Sequence, residues 1–151
     1  MKPNYHIRNY SKNDFKSVLT LFQLNTPKYF AKEEENDLIY YLTNELEEYF
    51  VIEYQNSIVG CGGINFKGHS GEAYISWDMT HPGHHGVGLG SKLLQYRLNK
   101  LKALSSINTV VVRTSQHTYL FYQKNGFVLR EIVKDYWAPE FDLYKMELKL
   151  F

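Results

Sequence analysis

Four glycines fall within eight residues of the stretch His81-Pro82-Gly83-His84-His85-Gly86-Val87-Gly88-Leu89-Gly90-Ser91-Lys92-Leu93-Leu94, and no other window leaves the backbone so free. Upstream, Ala73-Tyr74-Ile75-Ser76-Trp77 has the β-branched and aromatic content of a strand. Downstream, Leu89, Leu93, Leu94, Leu98, Leu101 and Leu104 form the apolar stripe of an amphipathic helix. The glycines therefore join a strand end to a helix start. Unpaired N–H groups and the positive end of the helix dipole face outward at such a junction, and a phosphate fits there. The plainer alternative is a flexible loop with a poor helix start. Glycines in a first helical turn cost about 0.5–1 kcal/mol each relative to Ala, so stability alone gives little reason for Gly88 and Gly90.

A nucleotide P-loop closes on Gly-Lys-Ser/Thr, and here the order is Gly90-Ser91-Lys92. A dinucleotide fold uses G-x-G-x-x-G with an acid about 20 residues on. Read from Gly86, the third glycine position holds Ser91, and the later run Thr109-Val110-Val111-Val112-Arg113 carries no acid. The stretch His85-Gly86-Val87-Gly88-Leu89-Gly90, with Pro82 ahead of it, resembles the acetyl-CoA loop of the GNAT acetyltransferases, Arg/Gln-x-x-Gly-x-Gly/Ala. One departure stands out: His85 occupies the Arg/Gln position.

At 151 residues the chain has the length of one domain, expected to span 1–151, with room for a sizeable core. A net charge of +1 gives no field that would draw nucleic acid or an anionic membrane, and neither is expected as a partner. No apolar run approaches the roughly 20 residues that span a bilayer. Met1-Lys2-Pro3-Asn4-Tyr5 does not read as a signal peptide, and a single cysteine, Cys61, allows no internal disulfide. A cytoplasmic location is the default expectation.

Along the chain, Tyr5–Arg8 reads as a strand, and Ser11 to Asp14 as a capping box opening a helix with Phe15, Val18, Leu19 and Phe22 on one face. Asn25-Thr26-Pro27 ends that helix. A second helix is predicted over Lys32–Glu47, its Glu33-Glu34-Glu35 run either a solvated face or an acidic lip for a cationic substrate. Tyr49–Tyr54, Gln55-Asn56 and Ser57–Ile64 read as a hairpin in which Asn56 takes a positive φ. Glu72–His81 leads into the glycine loop. After the loop helix come a buried strand over Thr109–Arg113, a short helix with a polar start over Thr114–Phe127 closed by Asn125-Gly126, and two strands near Val128–Lys134 and Phe141–Leu150. The order β-α-α-β-β-β-α-β-α-β-β describes an α/β domain, a mixed sheet flanked by helices. It is similar to the GNAT order, and Phe121-Tyr122-Gln123-Lys124-Asn125-Gly126-Phe127 resembles the family's Tyr-x-x-x-Gly-Phe segment.

This resemblance implies an N-acetyltransferase that moves an acetyl group from acetyl-CoA to a primary amine, directly within a ternary complex. The acceptor could be a small molecule, a peptide or a protein amine. The alternative, prompted by His85, is a module that binds acyl-CoA without transferring it. By resemblance, the pyrophosphate lies on the amides of Gly86, Val87, Gly88, Leu89, Gly90 and Ser91, with His85 a further cofactor-binding residue beside them. The N–H of Met79 or Thr80 donates to the thioester oxygen, and Tyr122 is the general acid for the departing thiolate. Tyr122 is one of 13 tyrosines, and a packed core role is its alternative. Glu72, thirteen residues before His85, matches a spacing at which family members carry a catalytic base; its alternative is a rim carboxylate. Asp78 and His117 are further candidates for the base. Cys61 has nothing local to activate it and reads as core filling. His81, His84 and His85 have no Cys or carboxylate at ligand spacing, so no metal is expected. Tyr136-Trp137-Ala138-Pro139 could cover the acceptor pocket, form a homodimer contact or pack in the core.

Overall fold

The structure, a computed structural model, describes residues 4–151; the leading three residues of the stretch weighed as a signal sequence lie outside the described residues. Strands β1 (His6–Asn9), β2 (Glu48–Tyr54), β3 (Ser57–Phe66), β4 (Glu72–Thr80), β5 (Thr109–Thr114), β6 (Val128–Ala138) and β7 (Phe141–Lys149) form one sheet in the order β1-β2-β3-β4-β5-β7-β6. Helices α1 (Phe15–Leu24), α2 (Glu35–Asn44), α3 (Leu89–Lys102) and α4 (Tyr119–Lys124) cover it. Among the described residues, only the β4–β5 pair is parallel. The element order and fold class read from the sequence are those observed.

Strand alternation divides the core between the two faces. Phe50 and Ile52 of β2 pack with Leu93, Leu94, Leu98 and Leu101 of α3, while Tyr49 and Val51 pack with Val18, Leu21 and Phe22 of α1 and Leu38 of α2. At the α1 entry the Ser11 N–H donates to Asp14 Oδ2 at 2.9 Å, and Arg8 grips the same carboxylate at 2.8 and 2.9 Å. Gln55 and Asn56 both have positive φ, 49° and 65°, as a tight two-residue hairpin turn requires. Among the described residues, no helix is long and apolar enough to cross a membrane.

Three elements differ from the sequence reading by three residues or more. Helix α2 stops at Asn44, because the chain must turn before entering β2 at Glu48. Helix α4 is six residues long: Thr114 ends β5, and the Tyr119 and Thr118 amides both close on the Ser115 carbonyl before the helix begins. Strand β6 continues through Tyr136 and Trp137 to Ala138, so this aromatic pair is strand rather than loop. The Trp137 indole N–H donates to the Thr114 carbonyl at 3.0 Å, and the Arg113 guanidinium lies over both rings.

Candidate functional site

Strands β4 and β5 pair only from Glu72–Ile75 to Thr109–Val112. Beyond Ile75 the two part, because β5 continues along β7 while β4 stays on β3. The gap opens into a cleft of about 920 Å³, roofed by α3 and α4 and reached by α2. The glycine loop stands at one end. Gly86 and Gly88 have φ of +86° and +81°, and a Cβ at either would meet only open space. The Lys92 amide closes on the Gly88 carbonyl at 3.0 Å, but among the described residues the amides of residues 86–91 donate to no protein group. Six consecutive unclaimed N–H groups at the start of a 14-residue helix fit a pyrophosphate.

The three loop histidines are engaged locally. His81 Nδ1 accepts from the Gly83 amide at 2.9 Å, His84 Nδ1 meets the Tyr5 hydroxyl at 3.2 Å, and the exposed His85 ring packs edge-on against Tyr29. Among the described residues no cluster of His, Cys, Asp and Glu is placed to hold a metal ion.

The parting of the strands coincides with a bulge. Gly63 opposes Ser76 and Cys61 opposes Met79, so Trp77 and Asp78 together face Gly62, with Trp77 at φ +50°. The bulge turns Asp78 toward α3, where the fully buried Arg97 meets it with both terminal guanidinium nitrogens, at 2.6 and 2.9 Å. Arg97 also donates to the Gly63 and Leu93 carbonyls. Burial works against the Arg97 charge, but Asp78 outweighs it, and the guanidinium pKa ends above its ordinary value. From α4, the Tyr122 hydroxyl donates to Asp78 Oδ2 at 2.8 Å. Burial first, then the Asp78 charge, push the Tyr122 hydroxyl well above its ordinary pKa, with Arg97 opposing.

Only glycine fits opposite this pair: a Cβ on Gly62 would collide with Asp78 Oδ1 and lie 2.9 Å from Arg97 Nη1. Gly62→Ala is therefore expected to destabilise the fold by about 1–3 kcal/mol, as overpacking does. Denaturant unfolding with an unchanged m-value checks it.

The cleft brings together most of the residues singled out from the sequence. Met79, Thr80, His85, Gly86, Gly88, Leu89, Gly90, Ser91, Asp78, His117 and Tyr122 line it. The His81 amide bonds the Val59 carbonyl at 2.8 Å. Strand amides alternate sides, so that of Met79 also faces β3, whereas that of Thr80 faces the gap. Cys61 is wholly buried, and burial pushes its thiol up to about 12, which leaves no thiolate to act as a nucleophile. Glu72 is not brought to the cleft. It sits at the far end of β4, 3.8 Å from Lys67 Nζ and about 26 Å of strand from Thr80. A spacing counted along a strand measures length, and this one leads away from the site. Arg97 was absent from the sequence reading, although a charge within the Leu93–Leu101 stripe was a visible signal.

The cleft is also lined by Glu34, Asp37, Tyr40, Tyr41 and Glu45. Glu34 accepts from the Ala31 amide at 2.8 Å, yet burial, with Asp37 and Glu33 nearby, raises its pKa from 4.5 to about 7. The native state thus binds more protons than the unfolded chain between those values, and the Glu34 contribution to stability is lost as pH rises through about 7. Glu34→Gln keeps the acceptor for Ala31 without the charge. It should melt above wild type at pH 8, and the advantage should vanish near pH 4 in paired thermal scans.

Residues 15–127 match the model of the acetyltransferase (GNAT) family. A comparison with the curated proteins finds no match. Among solved structures, Ard1 from Thermoplasma volcanium superposes with a TM-score of 0.81 at 21% identity, over 97% of this chain and 98% of that one. An N-acetyltransferase from Staphylococcus aureus Mu50 gives 0.75 at 22%, over 98% and 99%. An aminoglycoside 6'-N-acetyltransferase complexed with coenzyme A gives 0.76 at 13%, over 97% of each chain. At such identities these likenesses establish the fold.

Proposed function

Because the chain belongs to the GNAT family of acetyl-CoA-dependent N-acetyltransferases, we propose that it transfers the acetyl group of acetyl-CoA directly to a primary amine bound in the β4–β5 cleft. The observation that carries this reading is the run of free amides at 86–91 opening onto the same cleft as Thr80 and Tyr122. The loop would hold the pyrophosphate, with Gly86 and Gly88 leaving the approach clear. The Thr80 amide, facing the gap, would donate to the thioester oxygen; one such fixed donor contributes about 3–4 kcal/mol to the barrier. Burial of Cys61 supports direct transfer over a route through an acyl-enzyme.

The same cleft carries carboxylates and tyrosine rings, a lining that suits a cationic amine. The test is turnover of acetyl-CoA against a panel of amines, with free thiol and acetylated product measured together. Thiol release that depends on the amine, and is fastest with di- and polyamines, supports the reading. Binding of acetyl-CoA with no acetylated amine from any class would contradict it.

A further inference from the structure

With Glu72 outside the cleft, the base candidates left in it are His117, whose Nε2 lies 3.3 Å from the Glu140 carbonyl oxygen, and Asp78. An amine with a pKa near 10 arrives at pH 7 mostly protonated and cannot attack until that proton leaves. The bulge supplies a group where β4 opens. Tyr122 has one hydroxyl proton, and it is committed to Asp78 Oδ2 at 2.8 Å. The oxygen lone pairs are what Tyr122 has left to offer the cleft it lines, so in this geometry it is an acceptor there rather than a donor. Asp78 cannot swing away, because Arg97 holds both carboxylate oxygens and is itself fixed to the Gly63 and Leu93 carbonyls.

We propose that Tyr122, Asp78 and Arg97 form a proton relay that serves both halves of the transfer. This rests on the acetyltransferase reading above. Tyr122 Oη accepts a proton from the bound ammonium while its own proton passes to Asp78 Oδ2. The freed nitrogen lone pair forms the C–N bond at the acetyl carbon, and the C–S bond breaks with its electron pair going to sulfur. Asp78 then returns its proton to Tyr122, and Tyr122 protonates the thiolate. The second proton lost from nitrogen leaves to water, so ammonium and thioester give amide, thiol and one proton. Asp78 and Arg97 act through Tyr122 and are positioning residues. The other titratable groups packed around Asp78 are Tyr49 of β2, Cys61 of β3 and Tyr41 of α2. Burial raises the pKa of all three, so none competes for the proton near neutral pH.

The relay predicts how rate depends on pH. At saturating amine the wild type deprotonates the bound ammonium itself, so its rate should change little from pH 7 to 9. Without the relay only the free-amine fraction reacts, and the rate should rise about tenfold per pH unit. Asp78→Asn leaves Arg97 buried without its counter-charge, so the double variant Asp78→Asn/Arg97→Gln is measured beside it, together with Tyr122→Phe, which leaves the ion pair intact. All are expected to bind acetyl-CoA as the wild type does and to show the steep slope. The double variant should lose about 10²–10³-fold in kcat at pH 7, within the range for an acid–base group. For a weakly basic amine, already neutral at pH 7, its loss should be much smaller. In the ligand-free protein, a slowly exchanging hydroxyl proton should be visible by NMR, absent from Tyr122→Phe and shifted in the double variant. A wild-type slope retained in Tyr122→Phe would mean that the ammonium proton does not pass through Tyr122, and would overturn the relay alone. A loss independent of pH and of amine basicity in the double variant would overturn it too. A wild type that acetylates no amine would contradict the function itself, and with it the relay.

Discussion

Replacing Gly88 with Glu should abolish acetyl-CoA binding. Gly88 sits at φ +81° in the midst of the free amides, and a side chain there would enter the space the phosphates need. A carboxylate would add like-charge repulsion. At about 4 Å and an effective dielectric near 20, one such charge pair is worth about 4 kcal/mol, or roughly a thousandfold in affinity. The positive φ also strains any L side chain, by about 1–3 kcal/mol, so Gly88→Ala serves as the control for backbone effects. Circular dichroism should show both variants folded, with calorimetry finding binding weakened in Gly88→Ala and absent in Gly88→Glu. Equal affinity in wild type and Gly88→Glu would remove the loop from the account.

The second large effect is expected at Tyr122. Tyr122→Phe deletes one oxygen from a ring that is 5% exposed and packed against Phe121 and Phe127. The ring keeps its packing and Asp78 keeps Arg97, so the variant should fold. The hydroxyl acts while bonds to the acetyl carbon are changing, so its loss should lower kcat by roughly 10²–10⁴-fold and leave acetyl-CoA affinity nearly unchanged. Rapid-quench measurement of the first turnover separates chemistry from product release. An unchanged first-turnover rate would return Tyr122 to a packing role.

How much of this could be read from residues alone follows from the range of the interactions. The loop was legible because glycine spacing, a strand before it and a leucine stripe after it are all local. The hairpin turn at Gln55-Asn56 was legible for the same reason. Asp78 stood among the candidates for the base, and Arg97 lies among leucines on the buried side of α3. Their pairing was not legible, because it depends on a bulge that places two residues of β4 opposite Gly62. That bulge is set by packing between strands, which no local window encodes. Glu72 illustrates the converse error. Its separation from His85 suits the family pattern, but a strand carries that separation through space, and the carboxylate sits at the far end of the central strand β4 beside Lys67. The Glu33-Glu34-Glu35 run was read as solvent-facing or as a substrate lip; Glu34 is buried, and with Asp37 and Glu45 it lines the cleft.

The most direct test of the central claim is a crystal structure of the protein with acetyl-CoA. The account predicts pyrophosphate density within hydrogen-bonding distance of the amides at 86–91. The thioester should lie in the gap between β4 and β5, with its carbonyl oxygen on the Thr80 amide and its sulfur near the Tyr122 hydroxyl. Acetyl-CoA bound away from that gap, or with its thioester turned out of the cleft, would contradict it.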